Sequence, residues 1–231
     1  MPLEYVAGNR LTLLRNGEQY FPALIDAIDA ARREIFVETY IFADDETGSL
    51  VAPALARAAT RGVAVHLLLD GFGAHDFAPR YRDMLERAGV QVLVFRPKIS
   101  PWTLRRNRLR RMHRKIACAD ASIAFVGGIN VIDDYDTPGQ TPPRYDYAVR
   151  IEGPLAARAR REAARLWSRV AWASLGRRWP GFADPSRWHI ARGTDAIAPA
   201  CGECRAALAL RDSLRHRGDI EQAYLELIAA A

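Results

Sequence analysis

The chain has 231 residues, 49% of them hydrophobic, enough for a substantial core in one large domain or one and a half small ones. No apolar run approaches the length of a membrane-spanning helix, and Met1-Pro-Leu-Glu-Tyr5 lacks secretory character, so the expectation is a cytoplasmic protein or one peripheral to a membrane. The net charge of +6 is concentrated: Arg105, Arg106, Arg108, Arg110, Arg111, Arg114 and Lys115 fall in one stretch, and no acid occurs from Arg87 through Ala119. Trp102, Leu104, Leu109 and Met112 are interleaved with these cations, a mixture that suits an anionic lipid surface and equally a nucleic-acid backbone.

In chain order, 11–14 reads as a short strand. Residues 18–33 carry helical spacing through Phe21, Leu24, Ile25 and Ile28. A strand over 34–42, a helix over 50–61, a strand over 63–69, a helix over 78–88 and a strand over 90–95 follow. After the basic stretch, 115–119 and 122–126 read as a hairpin turning at Asp120-Ala121. A Pro/Gly-rich loop near 136–143 leads to a strand over 147–151, and Gly153-Pro154 opens a long helix to about 175, with Trp167 and Trp172 read as core. The alternation predicts an α/β layered domain with helices on both sheet faces.

Past residue 175 the chain turns irregular and rich in Pro, Trp and Gly, as a linker over 176–206 would. Ala207-Leu-Ala-Leu-Arg211 and Gly218-Asp-Ile-Glu-Gln-Ala-Tyr-Leu-Glu-Leu-Ile228 then echo Leu11-Thr-Leu-Leu-Arg15 and Gly17-Glu-Gln-Tyr-Phe-Pro-Ala-Leu-Ile25. The expected division is a first lobe over 1–175, a linker over 176–206 and the start of a second copy over 207–231. Cys118 reads as a small core residue. Cys201-Gly-Glu-Cys204 lacks a second ligand pair and reads as a reduced surface loop rather than a zinc or redox site. His66 reads as a core or strand-end residue, and His75 as a loop residue near the rim of any site.

The chemistry concentrates in Met112-His-Arg-Lys-Ile-Ala-Cys-Ala-Asp120, followed by Gly127-Gly128-Ile129-Asn130. On a strand, residues two apart share a face, so His113 and Lys115 project together. A turn centred on Asp120-Ala121 would set His113 opposite Gly128 and leave Asn130 beside the histidine. A neutral imidazole is a nucleophile, a lysine supplies fixed positive charge, and an asparagine amide donates to phosphate oxygens. Glycines let a backbone approach an anion closely. The expected phosphate contacts are therefore Gly127 and Gly128, with Arg111 and Arg114 at the end of the basic run.

His113, Lys115, Asp120, Gly127 and Asn130 at these spacings resemble the HKD signature of the phospholipase D superfamily. Glu38-Thr-Tyr-Ile-Phe-Ala-Asp-Asp-Glu46, Leu69-Asp70-Gly71-Phe72-Gly73, Phe125-Val-Gly-Gly-Ile-Asn130 and Asp146-Tyr-Ala-Val-Arg-Ile-Glu-Gly-Pro154 are similar to the bacterial cardiolipin synthase branch. The likeness runs from about residue 10 to the end. One departure is Gly128, where many superfamily members carry serine; the Gly-Gly form resembles the cardiolipin synthase branch.

The resemblance implies a phospholipase D-like layered domain with a central mixed sheet. It also implies a two-step reaction at a site built from two such motifs, without a metal or other cofactor. One histidine attacks phosphorus to form a phosphohistidine, and the other protonates the leaving alcohol and later activates the acceptor. Cardiolipin synthases take phosphatidylglycerol as donor and a headgroup hydroxyl of another phospholipid as acceptor, which implies work at the inner face of the cell membrane. By the same resemblance His113 is the nucleophile, Lys115 and Asn130 clamp the phosphate, and Asp146 orients the histidine's other nitrogen. The remaining member of the catalytic signature, Asp120, has a structural hydrogen-bonding role at the turn.

Only one such motif is present. The second histidine is expected from another copy of the chain, from a missing C-terminal lobe, or from nowhere. Three readings follow: a cardiolipin synthase-like lobe cut short relative to a two-lobed enzyme, a homodimeric single-motif phosphodiesterase or nuclease, and a non-catalytic lobe that binds anionic lipid. The second repeat begun after 207 favours the first.

Overall fold

A computed structural model describes residues 3–74, 77–96, 111–137, 139, 141–175, 198–210 and 219–230. Its backbone is an eight-stranded mixed sheet. In chain order the elements are β1 (Val6–Arg15), α1 (Asn16–Ala30), β2 (Glu34–Thr39), α2 (Glu46–Thr60), β3 (Ala64–Asp70), α3 (Pro79–Arg87), β4 (Gln91–Phe95), β5 (Ile116–Ala119), β6 (Ile123–Gly127), β7 (Tyr147–Glu152), α4 (Pro154–Leu175), β8 (Cys204–Ala206) and α5 (Asp219–Ala230). The strands lie in the order β4-β3-β2-β5-β6-β7-β1-β8. The pairs β2–β3 and β3–β4 are parallel, and every other pair is antiparallel. Helices cover both faces, as the alternation predicts.

On one face α1, α2 and α3 bury Tyr20, Phe21, Leu24, Ile28, Val51, Leu55, Tyr81 and Leu85 against the odd-numbered residues of β2 and β3. The spacing of three and four along α1 is what turns those side chains inward together. On the other face lies α4. Its Leu155, Ala156, Ala159, Ala163 and Trp167 pack on Phe36, Leu68, Leu93, Ile116 and Cys118. Small alanines bring the α4 backbone close to the sheet, and the single large Trp167 fills the space that remains. Trp172, read as core, points away from this stripe and is 77% exposed.

Several boundaries move for local reasons. Helix α2 begins at Glu46, earlier than expected, because Asp45 caps it by accepting from Gly48 N–H at 2.8 Å. Strand β2 stops at Thr39, where the chain bends. The hairpin turn holds three residues rather than two: Asp120 and Ala121 both take positive φ, and Ala119 pairs with Ile123. The register is therefore one residue away from the expected one.

The largest correction concerns the linker. Residues 176–197 lie outside the described residues, but β8 falls inside the expected linker and pairs with the first half of β1 as the sheet's edge. Residues 207–210 form no strand; Ala206, Leu208 and Leu210 pack beside the α4-side core instead. Strand β1 is ten residues long where four were expected, and its outer half would be an open edge without β8. Helix α5 forms where expected and leaves Tyr224, Leu225 and Ile228 exposed.

Candidate active site

The site sits beyond the C-terminal ends of the parallel strands β2 and β3, the end at which open α/β sheets bind ligands. Three chain segments meet there. Strand β3 ends at Asp70, which is 0% exposed, and its carboxylate accepts from Met112 N–H (2.6 Å), Phe72 N–H (2.9 Å) and Gly73 N–H (3.4 Å). Beyond β2, Ile41 N–H donates to Asn130 Oδ1 at 3.1 Å, Ala43 N–H donates to the Val131 carbonyl at 2.8 Å, and Val131 N–H donates to the Ile41 carbonyl at 3.2 Å. The third segment, 111–115, leads into β5 and carries the histidine and the lysine.

His113 is exposed at its edge, with its ring against Tyr40 at 4.8 Å between centroids. Its Nδ1 lies 3.1 Å from Lys115 Nζ, which also donates to the His113 carbonyl at 3.3 Å. Lys115 is only 8% exposed, and its ammonium stands 5.6 Å over the Tyr40 ring. Burial pulls the lysine's pKa down, against the pull of Asp146 in the other direction. Burial and then the Lys115 charge hold His113 below its ordinary value, with Asp70 opposing them. The downward shift at His113 favours the neutral imidazole at pH 7.

Asn130 joins this group with its oxygen already committed to Ile41, so its NH2 end is the one that can donate. Asp146 is close, but not as expected. Its carboxylate accepts from Tyr147 N–H at 2.8 Å rather than from the imidazole, and Asn16 holds its backbone through Asp146 N–H to Oδ1 at 3.1 Å and Asn16 N–H to the Asp146 carbonyl at 2.9 Å. The carboxylate rests on Gly128, where a Cβ would lie 2.0 Å from Oδ1. A Cβ on Gly127 would lie 2.3 Å from the Tyr147 carbonyl. Close packing of the start of β7 therefore explains both glycines without any anion.

Two expected phosphate contacts separate. Arg111 stays at the rim with its guanidinium 4.9 Å from the Phe72 ring. Arg114 points through to the opposite side of the sheet, where Nε stands 3.0 Å from Glu38 Oε2. The strand alternation that puts His113 and Lys115 together sends the residue between them the other way. Asp120 is removed from the site altogether: at the far end of β5 its carboxylate accepts from Arg32, Arg33 and Glu34 N–H at 2.8, 2.8 and 3.0 Å. Arg105, Arg106, Arg108, Arg110 and His75 lie outside the described residues. His66 is core, stacked on Phe36 at 4.5 Å, and Cys118 is buried beside it. Cys201 and Cys204 are free thiols near the β1–β8 edge.

Asp70, Tyr40, Glu38 and Asn16 were not among the expected site residues. Glu38, Tyr40 and Asp70 sit within stretches that carry the family resemblance, which was the available signal. Asn16 had none.

This fold is a phospholipase D-like α/β domain. It is similar to a phospholipase D family member, Nuc from Salmonella typhimurium, with a TM-score of 0.51 at 19% identity over 71% of this chain and 95% of that one. NucT from Helicobacter pylori gives 0.52 at 18% identity over 70% and 95%. The family described as cardiolipin synthase, PLD-like domain, matches residues 24–167, and the chain belongs to it. Cardiolipin synthase B of Escherichia coli K12 is 36% identical over 232 residues, covering 100% of this chain and 53% of that protein. Cardiolipin synthase B of Salmonella typhi is 37% identical over 225 residues, 97% of this chain and 51% of the relative. Cardiolipin synthase 1 of Bacillus anthracis is 37% identical over 150 residues, 64% and 29%. The chain thus spans about half the length of the first of these relatives.

Proposed function

We propose that this chain carries one half-site of a cardiolipin synthase-type phosphatidyltransferase, with His113 as the nucleophile. The observation that carries the reading is the imidazole of His113 held 3.1 Å from the ammonium of a nearly buried lysine. As these side chains stand, Lys115 can only donate, so Nδ1 accepts and the ring proton sits on Nε2. A phosphodiester that draws the ammonium onto its own oxygens frees Nδ1 to take the proton and leaves Nε2 to attack. An N–P bond forms as the P–O bond to glycerol breaks, and the departing alkoxide takes a proton from a general acid. A second lipid hydroxyl then displaces the histidine, delivering its proton to the same group. Lys115 and the Asn130 amide stabilise charge on the non-bridging oxygens through both steps.

In this reading the general acid is a second histidine from a second lobe, and 207–231 belongs to that lobe. Exposed Tyr224, Leu225 and Ile228 on α5 support this, since the matching stretch of α1 buries Tyr20, Phe21 and Leu24. The basic stretch before Met112 brings the site to an anionic membrane surface. Among the described residues no helix is long and apolar enough to cross a membrane.

The test uses phosphatidylglycerol vesicles and follows both the two-phosphatidyl product and an acid-labile phosphoryl or phosphatidyl adduct on the chain. The adduct should form and should vanish in His113→Ala. Product or adduct that persists in that variant overturns the assignment.

A further inference from the structure

Residues 111–115 belong to no strand, although they carry His113 and Lys115. Past the end of β5 the ladder contributes a single backbone bond there, Gly127 N–H to the Lys115 carbonyl at 3.3 Å. Something else must hold His113 and Lys115 to a common direction, because a misplacement of about 1 Å can cost on the order of a hundredfold in rate.

The neighbours of His113 supply it. Met112 is pinned by its backbone, whose N–H donates to Asp70 Oδ2 at 2.6 Å, and by its side chain, which is buried in the α4-side core. Arg114 is pinned by its side chain against Glu38, whose own side chain is 2% exposed. The two acids come from neighbouring parallel strands, Asp70 from the end of β3 and Glu38 from β2 opposite Ile116. Asp70 is itself held by the Phe72 and Gly73 N–H groups, so its grip on Met112 has a fixed origin. Residues 112 and 114 are thus fastened to the sheet, which leaves 113 and 115 to face the site.

We propose that Asp70 and Glu38 are positioning residues that aim His113 and Lys115 by fastening Met112 and Arg114. The proposal rests on His113 being the nucleophile. Asp70 also faces His113 closely enough to hold its pKa up against Lys115 and burial.

The test compares Asp70→Asn and Glu38→Gln, which keep side-chain shape and remove charge, in the full chain with the imidazole resonances of 15N-labelled histidine. His113→Asn assigns the His113 signals. In Asp70→Asn the His113 pKa should fall further, because the carboxylate that opposes the shift is gone. In Glu38→Gln the His113 nitrogen signals should move or broaden as the contact with Lys115 loosens. On phosphatidylglycerol vesicles kcat should drop at least tenfold in both, with KM changed less than twofold. Where Glu38→Gln fails to fold, Glu38→Asp serves, since it keeps the charge but withdraws it from Arg114, and it should displace the same signals. Folded variants whose His113 signals and titration match wild type overturn the proposal. Absence of turnover by this chain alone is what a half-site lacking its second histidine gives, and the spectra then decide the proposal; an adduct that persists in His113→Ala overturns the half-site reading separately.

Discussion

The two faces of the sheet are built on different principles. The face under α1, α2 and α3 is almost wholly aliphatic and aromatic. The face under α4 buries charge: Arg160 meets Glu34 through Nε–Oε1 at 2.8 Å and Nη2–Oε2 at 2.5 Å, and Arg114 meets Glu38. The two pairs also differ from each other. Glu34 and Arg160 form a bidentate fork, the strong geometry for this pairing. Arg114 approaches Glu38 off the hydrogen-bond direction, leaving both Glu38 oxygens without a hydrogen bond in a dry site. Burial accordingly outweighs the Arg114 and Arg169 charges, with Glu162 adding to it, and pushes the Glu38 carboxyl up to about 7. An ion pair that anchors the fold and one that lies behind His113 are thus a few residues apart on one face, and their geometry tells them apart.

The largest effect should come from breaking the fork. Arg160, 2% exposed, leaves a buried carboxylate behind when removed, so Arg160→Ala should cost about 3–5 kcal/mol in denaturant unfolding. The double change Glu34→Leu with Arg160→Met should recover most of that loss, because it leaves no charge uncompensated.

The looser pair should show itself in pH rather than in a simple loss. Glu38 holds its proton more tightly folded than unfolded, so between about pH 4.5 and 7 the native state binds more protons. Stability should therefore fall as pH rises through that window, by an amount on the order of 2–3 kcal/mol from this one group. Glu38→Gln should flatten that part of the profile of midpoint against pH; an unchanged slope would remove the assignment.

A side chain at Gly128 tests the other side of the histidine. Gly128→Ser must displace the Asp146 carboxylate, and overpacking of this kind costs about 1–3 kcal/mol. The same variant should lower the Lys115 pKa further, since Asp146 is what holds it up. The smallest effect is expected at Leu225, 55% exposed on α5, where Leu225→Ser should change the stability of this chain by less than about 0.5 kcal/mol. A larger loss would mean that α5 packs on the sheet in solution.

Much of the layered fold was legible because helical and strand periods differ and this chain keeps them apart. The pairing of His113 with Lys115 was legible for the same reason, since it needs only a two-residue alternation. The partner of Arg114 was not: it depends on β5 lying beside β2, an adjacency across the basic stretch that no local pattern encodes. Asp120 was read correctly as a turn residue, yet the register slipped by one because two successive positive φ values there add a residue to the loop. Strand β8 was taken for linker because a three-residue edge strand with two exposed positions carries no apolar alternation to read. The glycines at 127 and 128 were explained by an anion when a neighbouring strand and its carboxylate already fill the space.

The position of β1 has a consequence for how the molecule is made. Strand β1 precedes the rest of this sheet in the chain yet lies seventh in it, and Arg15 finds its partner in Tyr147. At roughly 5–20 residues per second, synthesis separates those two residues by on the order of ten seconds. Throughout that time a ten-residue strand with both edges unpaired accompanies the nascent chain. The central strands β2 to β6 can pair before β7 exists, so until then β1 carries the unpaired edges that template association with other chains.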